Sequence, residues 1–300
     1  RGEGSGKGVY ATGVGKLTLT MTGVNISNVA MGVYQTNGTL MMTNGSITFT
    51  SGRDNYGVMV GSGVTMATVT GTRITGEGSG KGTGVLVDGT GLTMTLNDVT
   101  ISNVSEGVWV KGTLVMDKGS ITVTNSGFKG YGVGVYVGKE ATATITGTTI
   151  RGAGMGSKGV VMNGKTLGMS GVTISNVAVG VEVTGGILAM KGGSIGFTGD
   201  YGISLKEGRA ALKDVRMIYT GTNDTADFIK VVGGTVIAEG IKIDGNGYGQ
   251  GMSVNNGAVW LKDATFTEVK NGMTVTNGTV RMFGGSMEFK GDYGISLKEG

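Results

Sequence analysis

The chain has 300 residues, of which 63 are Gly, while Pro, Cys and His are absent and aromatic residues make up 6%. This composition is not typical of collagen or of disorder, and it excludes a disulfide framework, histidine-based catalysis and the common zinc sites. The formal net charge is +4, and the positive excess lies in residues 1–165, with 13 Lys or Arg against 8 Asp or Glu, whereas residues 166–300 hold 12 and 13. No run of 18 apolar residues occurs, so we expect no membrane insertion. We also expect no nucleic-acid partner and no cofactor.

A repeated unit runs along the whole chain. The hexapeptide at residues 24–29, Val-Asn-Ile-Ser-Asn-Val, returns as Val-Thr-Ile-Ser-Asn-Val at 99–104 and 172–177. The offsets are 99 − 24 = 75 and 172 − 99 = 73 residues, and the decapeptide at 199–208 recurs letter for letter at 291–300. A fixed period of this kind is typical of solenoid and other repeat architectures.

The long offsets are multiples of a shorter unit that opens with Gly before an apolar residue. Successive openings are 21 to 27 residues apart, so that 73 to 75 residues make three units, and Phe228-Ile229 fills one opening that has no Gly. The opening glycines are Gly8, Gly32, Gly57, Gly84, Gly107, Gly132, Gly159, Gly180, Gly202, Gly251, Gly272 and Gly294.

Each unit holds three short strand-like runs. In the unit that begins at Gly32, the runs are rich in Val, Leu, Met, Ile and Thr, alternate with period two, and are separated by Asn37-Gly38 and Asn44-Gly45. Such alternation is typical of half-buried strands, and Asn-Gly pairs favour sharp corners. The pattern predicts an all-β, right-handed parallel β-helix of about twelve three-stranded coils, on the order of 55–60 Å long. A leucine-rich repeat needs a helix or its equivalent on one side, and a propeller blade needs about forty residues, so neither fits.

Unit length varies mainly at the corner that follows the third strand. The long versions of this corner are residues 51–56, 76–83, 124–131, 151–158, 220–227 and 244–250. Variable loops on one edge of a solenoid are where binding residues are usually found. Six cations fall at this corner and are our predicted partner-binding residues: Lys7, Arg53, Lys81, Lys129, Arg151 and Lys158. In register they would form a broken basic stripe for a sulfated glycan or an acidic protein surface, or simply a solvated edge.

The carboxylates do not form an obvious catalytic or metal-binding cluster. Asp98, Asp214 and Asp263 each lie in a Leu-x-Asp corner before a third strand, where Asp is a turn former. Asp224 and Asp227 make the one tight pair. β-Helical polysaccharide lyases and hydrolases need clustered carboxylates, so we expect the protein not to be an enzyme and to hold no metal.

The methionines are interpreted as core residues, and the two tryptophans as contact or packing residues. Many of the 17 Met lie in strands and are predicted to fill the core. Trp109 and Trp260 each follow a Val, and each is either a contact residue on the outer wall or a packing residue.

Three stretches resemble a known family. Ile-Ser-Asn-Val-Ala-x-Gly-Val (26–33 and 174–181), Gly-Gly-Ser-Ile-x-Phe-Thr-Gly-Asp-Tyr-Gly (192–202) and Arg-Ala-Ala-Leu-Lys-Asp-Val (209–215) are similar to repeats of Bartonella autotransporter passenger domains. The repeat sequences resemble in particular those of the group that includes the Bartonella angiogenic factor. The resemblance implies one β-helical passenger segment over residues 1–300, with the signal peptide and the C-terminal translocator barrel outside it, and a secreted or cell-surface location.

The resemblance also implies a function. We expect a host-directed virulence factor that acts as a non-enzymatic ligand of the vascular endothelial growth factor receptor and promotes endothelial proliferation. The alternative is an adhesin that binds matrix or heparan sulfate through the basic corner. A glycan-active enzyme using Asp224 and Asp227 is the third possibility. No receptor-contact residue is carried over from the family.

Overall fold

The protein is a parallel β-helix throughout the part of the chain that the computed structural model describes, residues 1–13, 15–125 and 131–298. Within these ranges every regular element is a strand, every pairing is parallel, and about twelve coils follow one another. Parallel strands that are joined by crossover connections wind in the right-handed sense in nearly all proteins. The predicted fold class is therefore confirmed.

Three ladders of parallel strands run the length of the solenoid, and each coil contributes one strand to each ladder. The first ladder contains β1 (Lys7–Ala11), β4 (Met31–Thr43), β6 (Tyr56–Thr70), β8 (Thr83–Val87), β11 (Glu106–Val110), β14 (Gly132–Val137), β16 (Thr149–Met162), β18 (Thr173–Val183), β20 (Ser194–Leu205), β23 (Asp227–Val231), β26 (Gln250–Asn255), β29 (Asn271–Thr276) and β32 (Ile295–Lys298).

The second ladder continues β4 and β6 and adds β2 (Thr18–Thr22), β9 (Thr93–Asn97), β12 (Thr113–Asp117), β15 (Thr142–Thr146), β17 (Thr166–Ser170), β19 (Ile187–Lys191), β21 (Arg209–Lys213), β24 (Thr235–Glu239), β27 (Ala258–Lys262) and β30 (Thr279–Phe283). The third ladder uses the first residues of β16, β18 and β20 and adds β3 (Asn25–Val29), β5 (Ser46–Phe49), β7 (Arg73–Gly76), β10 (Thr100–Val104), β13 (Ser120–Val123), β22 (Arg216–Tyr219), β25 (Lys242–Asp244), β28 (Thr265–Val269) and β31 (Ser286–Phe289).

The core is a column in which like residues stack on like. In the third ladder one register position is Ile in eight successive coils, from Ile26 to Ile195, and Met, Ile or Phe in the next four. Nearly all of these side chains are buried, and Ile101 is fully enclosed between Ile74 and Ile121. Each coil thus presents side chains of the same shape to the next coil. This stacking gives dense packing with few aromatic residues.

The opening glycines allow the first and third strands of a coil to approach closely. A Cβ on Gly84 would lie 2.4 Å from Ile101 Cγ2 and 2.7 Å from the carbonyl oxygen of Gly107. Real Cβ atoms do not approach other atoms this closely, so glycine is required here for space rather than for an unusual φ. Phe228 does occupy the opening without Gly, as predicted, directly above Gly202.

One opening glycine was assigned wrongly from the sequence. In the sixth coil the register pairs Val133 with Glu106 and with Lys158, so the residue in the opening is Gly134 rather than Gly132. A Cβ on Gly134 would lie 2.4 Å from Ile150 Cγ2, the same contact that the other openings show. Two Gly-Val pairs stand next to each other at 132–135, and only the ladder distinguishes them.

The corner between the second and third strands needs a left-handed residue in every coil. Twelve coils place Gly, Asn, Asp or Lys there, and the non-glycine members have φ between 50° and 60°: Asn44, Asp98, Lys118, Asp214 and Asp263. Asn and Asp tolerate this region better than other residues that have a Cβ. The assignment of the three Asp residues as turn formers is therefore confirmed.

The Ile-Ser-Asn-Val motif forms a bulge in the third ladder. Asn28, Asn103 and Asn176 have φ of 54°, 52° and 53°, and the register shifts around the first two. The Nδ2 atoms of Asn28 and Asn103 donate to carbonyl oxygens of the preceding coil, at 2.8 Å and 2.7 Å. The best-repeated motif of the sequence therefore has a structural role.

Candidate binding face on the first ladder

The outer side of the first ladder carries a long row of apolar side chains. Each strand there places one side chain outward between two inward-facing neighbours, and these outward residues stack directly above one another. In the first seven coils all of them are apolar or aromatic, and we call these seven residues the apolar outer row: Tyr10, Tyr34, Met59, Leu86, Trp109, Tyr136 and Val161. From the eighth coil onward the same register position holds Glu182, Ser204, Lys230, Ser253, Thr274 and Ser296.

Aromatic rings contact each other along the apolar outer row. Tyr10 and Tyr34 stack with ring centroids 5.3 Å apart, and Trp109 and Tyr136 lie 4.3 Å apart with their planes tilted by 34°. Tyr10 is 58% exposed, and Lys7 Nζ lies 4.3 Å from the centre of its ring. Over seven coils at about 4.8 Å each, the row is on the order of 30 Å long. Apolar surface of this extent outside a core usually marks a binding site.

A groove of about 520 Å³ lies along the centre of the row, and we call it the Trp109 groove. Its floor is formed by Met59, Leu86 and Trp109. Its two rims carry polar and charged side chains, with Arg53, Asp54, Tyr56, Thr83 and Glu106 on the side where the strands begin and Asp88 and Lys111 on the side where they end.

Charged groups in the Trp109 groove are held by their neighbours. Thr83 Oγ1 donates to Glu106 Oε2 at 2.8 Å, and Lys111 Nζ lies 2.5 Å from Asp88 Oδ1. Burial raises the pKa of Glu106, while the Thr83 hydrogen bond and the Arg53 charge oppose that rise. Burial also raises the pKa of Tyr56, with Asp54, Glu106 and Asp88 adding to the effect. Three carboxylates face two cations, so the groove has a slight excess of negative charge.

A second groove of about 500 Å³ lies further along the same face, and we call it the lysine groove. Glu182 is its centre, with Oε2 at 2.6 Å from Lys158 Nζ and Oε1 at 2.6 Å from Lys206 Nζ. Burial opposes the charge of Glu182, but hydrogen bonds from Lys158 and Lys206 outweigh it and lower its pKa. Lys230 Nζ lies 3.2 Å from the hydroxyl of Tyr201 and 4.6 Å from the centre of that ring.

Asp227 lies beside the lysine groove and is almost fully buried, with 7% of its surface exposed. Its Oδ2 is 3.8 Å from Lys230 Nζ. Burial raises the pKa of Asp227 to about 7, although the Lys230 charge opposes this, and the charge of Asp200 adds to the rise. The carboxyl group therefore titrates near neutral pH in the folded protein.

The predicted cations are distributed over both sides of the variable corner. Lys7 and Lys158 share one register position six coils apart, and the five coils between them place Met31, Tyr56, Thr83, Glu106 and Val133 there. Arg53 lines the Trp109 groove and Lys158 lines the lysine groove.

The other three predicted cations lie elsewhere. Lys81 is exposed at the corner, where its backbone N–H donates to Ser51 Oγ at 3.1 Å. Arg151 is in the third-ladder part of β16, between Thr122 and Ser175, because the expected loop at 151–158 is a bulged continuation of that strand. Lys129 lies outside the described residues. The role of all six residues in binding stays a prediction.

Asp224 and Asp227 each pair with a different lysine. Asp224 Oδ2 lies 3.7 Å from Lys270 Nζ, whereas Asp227 pairs with Lys230. Among the described residues no group of three or more acidic side chains is placed to hold a metal ion. The described ranges also contain no helix that is long and apolar enough to span a membrane.

Sequence reasoning missed the apolar outer row, although the signal is present. The middle residue of each first strand stands between two aliphatic residues, as in Val85-Leu86-Val87, Val108-Trp109-Val110 and Val135-Tyr136-Val137. Comparison of that single position from coil to coil shows the row. Alternation with period two predicts a polar residue at the outward position of a half-buried strand. A chain with few aromatic residues also gives no reason to expect an aromatic row at that position.

Comparison with known proteins bears on the fold. A family model described as a right-handed beta helix region matches residues 83–223, slightly under half of the chain. The matched stretch contains Trp109 and most of the residues that line both grooves. No curated protein and no solved structure is similar to the chain at a significant level.

Proposed function

We propose that this β-helix is a secreted or surface-displayed bacterial passenger domain that binds a host-cell protein and catalyses no reaction. The observation that carries the proposal is the apolar outer row, which extends over seven coils on the outside of a rigid solenoid. Tyr and Trp dominate the energetically important positions of protein interfaces, and solenoids usually bind along one extended face.

We propose in particular that the partner is the vascular endothelial growth factor receptor and that binding promotes endothelial proliferation. The resemblance of residues 26–33, 174–181 and 192–202 to Bartonella passenger repeats supports this choice. A receptor of this class responds when two copies are brought together. The apolar outer row and the lysine groove lie on the same side of one rod, so they would supply two distinct contact areas for that purpose.

A non-enzymatic role agrees with the state of the carboxylates. Glu182, Asp88 and Asp227 each lie beside a lysine, and Asp224 pairs with Lys270. Carboxylates engaged in this way stabilise local structure and position neighbouring cations.

The test is binding of the purified chain to the receptor ectodomain by surface plasmon resonance, with receptor phosphorylation measured in endothelial cells. We expect saturable binding and phosphorylation, and loss of affinity of tenfold or more in the variant Tyr10→Ser/Tyr34→Ser. The control is Met41→Ser/Met66→Ser, which removes two side chains that are 52% and 56% exposed on the second ladder. Absence of wild-type binding would refute the proposal, and equal loss in both variants would remove the first-ladder face from it.

An adhesin that uses the basic corner is the second candidate. Lys81 and Arg53 are exposed at that corner, and the first 165 residues carry the positive excess. Retention on heparin that moderate salt abolishes, that Lys81→Glu weakens, and that is accompanied by no receptor phosphorylation would favour this candidate, because contacts between exposed charges are screened by salt.

A further inference from the structure

We propose that the Trp109 groove is a binding site for a neutral oligosaccharide. This inference goes beyond the proposed function, because it assigns a ligand class to one groove whether or not the protein binds a receptor.

The floor of the groove offers a flat, partly exposed apolar surface. The side chain of Trp109 is half-buried beside Leu86 of the preceding coil, and Tyr136 of the next coil continues the surface with a tilt of 34°. Because Leu86 and Tyr136 flank Trp109 in the row, the outward, half-exposed parts of these side chains form the apolar floor that a ligand meets. The C–H groups on one face of a pyranose ring match such a surface in size and polarity.

The rims offer hydrogen-bonding groups along both edges of this floor. Glu106 accepts from Thr83 through Oε2, and no described residue donates to its other carboxylate oxygen. On the opposite rim Asp88 and Lys111 form an ion pair that offers both an acceptor and donors. A ligand that is apolar on its face and carries hydroxyl groups around its edge satisfies this arrangement. Because neighbouring residues already hold the rim groups in place, little entropy is lost when the ligand binds.

The charges select against other ligands. Three carboxylates and two cations line the groove, so a sulfated or uronate-rich chain would meet net repulsion. A volume of about 520 Å³ lies within the ordinary range for small-ligand sites. A short, uncharged saccharide is therefore the ligand class that fits.

The same geometry indicates binding without cleavage. Thr83 stands at the register position of Glu106, so the two rims are separated by the five residues from Thr83 to Asp88, about 16 Å along an extended strand. Glycosidases hold their two carboxylates about 5–9.5 Å apart. Glu106 and Asp88 therefore stand at opposite edges of the groove, where they would contact different sugar units of a bound saccharide and not one bond.

The test uses tryptophan fluorescence, because the chain has two tryptophans and Trp260 belongs to the second ladder. The variant Trp260→Phe leaves Trp109 as the reporter, and Trp109→Phe leaves Trp260. The probes are neutral oligosaccharides of β-1,4-linked glucose, β-1,4-linked N-acetylglucosamine and lactose-type galactosides, with a heparin-derived oligosaccharide as the polyanion. We expect a saturable emission change with at least one neutral probe in Trp260→Phe and none in Trp109→Phe.

Calorimetry with the responding probe then tests the residues. We expect Trp109→Ala to lose tenfold or more in affinity and the isosteric Glu106→Gln to lose severalfold, while Trp260→Ala binds as the wild type does. Because glutamine has nearly the same volume as glutamate, a loss of affinity in Glu106→Gln is not explained by misfolding. No response to any neutral probe, a response to heparin alone, or unchanged affinity in both groove variants would overturn the proposal.

The outcome is separable from that of the proposed function. If the receptor ectodomain does not bind but the saccharide does, the oligosaccharide site stands and the receptor proposal fails. If Trp109→Ala binds no saccharide yet still binds an enzymatically deglycosylated receptor ectodomain, the two activities belong to different parts of the first-ladder face.

Discussion

At the scale of single residues, the corner between the second and third strands shows how backbone geometry limits the sequence. Twelve coils adopt positive φ at this position, and Lys118 is the one residue there that is neither Gly, Asn nor Asp, with a φ of 59°. A Cβ in the left-handed region costs about 1 kcal/mol or more, and Lys has no short polar group to offset this locally. Lys118 is therefore a site of local strain in an otherwise consistent row.

Replacement of Lys118 by Gly is expected to raise the free energy of unfolding by about 0.5–1 kcal/mol, because it removes the Cβ from a left-handed residue. Urea denaturation followed by circular dichroism measures the change. Lys118→Ala is the matched control, since it also removes the charge but keeps the Cβ. If both variants gained the same stability, the charge rather than the backbone angle would be responsible.

Asp227 gives a pH dependence whose sign follows from its raised pKa. Its folded pKa of about 7 lies above the ordinary value of 3.8, so the folded state holds a proton that the unfolded state releases between these two values. The contribution of Asp227 to stability is therefore most favourable below about pH 4, becomes less favourable as pH rises, and levels off above about pH 7. The full difference corresponds to about 4 kcal/mol, an upper figure for a nearly buried carboxyl group.

Asp227→Asn is expected to remove this pH dependence, because an amide of the same shape carries no charge. The variant should match the wild type near pH 4 and exceed it by about 2–4 kcal/mol at pH 8. Denaturation midpoints at one-unit pH intervals measure the difference, with Asp224→Asn as the exposed control. Parallel curves for wild type and Asp227→Asn would show that this carboxyl group does not titrate near neutrality.

At the scale of elements, Gly107 in the first ladder can be compared directly with Gly168 in the second ladder. A Cβ on Gly107 would lie 2.3 Å from the Gly134 carbonyl oxygen and 2.4 Å from Ile121 Cγ2, whereas a Cβ on Gly168 in the second ladder meets nothing within 4 Å. Both glycines lie in strands without positive φ. The two positions therefore differ mainly in the space around the side chain.

Gly107→Ala is expected to destabilise the protein by about 3 kcal/mol, because the methyl group must displace backbone as well as a core side chain. Gly168→Ala is expected to be neutral or to stabilise by up to about 1 kcal/mol, since alanine loses less backbone entropy than glycine. Thermal unfolding of the two variants side by side measures both effects. A Gly107→Ala variant as stable as the wild type would mean that the first and third strands can move apart.

The sequence predicted the elements better than it predicted the faces that they present. Three strands per coil follow from alternation and turn residues, and the Gly openings locate the coils except where Gly132 and Gly134 compete. The strand character of residues 151–158 was missed because pairing with both neighbouring coils outweighs a Gly-rich composition. The apolar outer row was missed because stacking between coils is a long-range relation that a pattern within one strand does not express.

At the scale of the whole molecule, the solenoid separates stability from binding. Inward side chains are enclosed between the coils above and below, as Ile101 is between Ile74 and Ile121. Side chains of the apolar outer row also contact their neighbours in the row, but they keep an outward side that is accessible to a partner. In the first-ladder outer row the first seven coils are apolar and the later coils polar, while the inward positions of the third ladder stay apolar in both halves. The change of surface over a core that stays apolar supports the proposal that the row contacts another molecule.

This separation gives a double comparison between a core and a surface variant. Ile101→Ala is expected to cost about 2–5 kcal/mol of unfolding free energy, because it opens a cavity in the isoleucine column. The same variant should keep its partner affinity while it remains folded, since the column does not reach the surface. Tyr10→Ser/Tyr34→Ser is expected to lose at most about 1.5 kcal/mol, the usual contribution of one exposed aromatic pair, while losing its affinity. Chemical denaturation and surface plasmon resonance on the same preparations measure both quantities. If the surface variant lost as much stability as the core variant, the apolar outer row would be packing surface of the solenoid, and the face proposed for binding would have to be sought on another ladder.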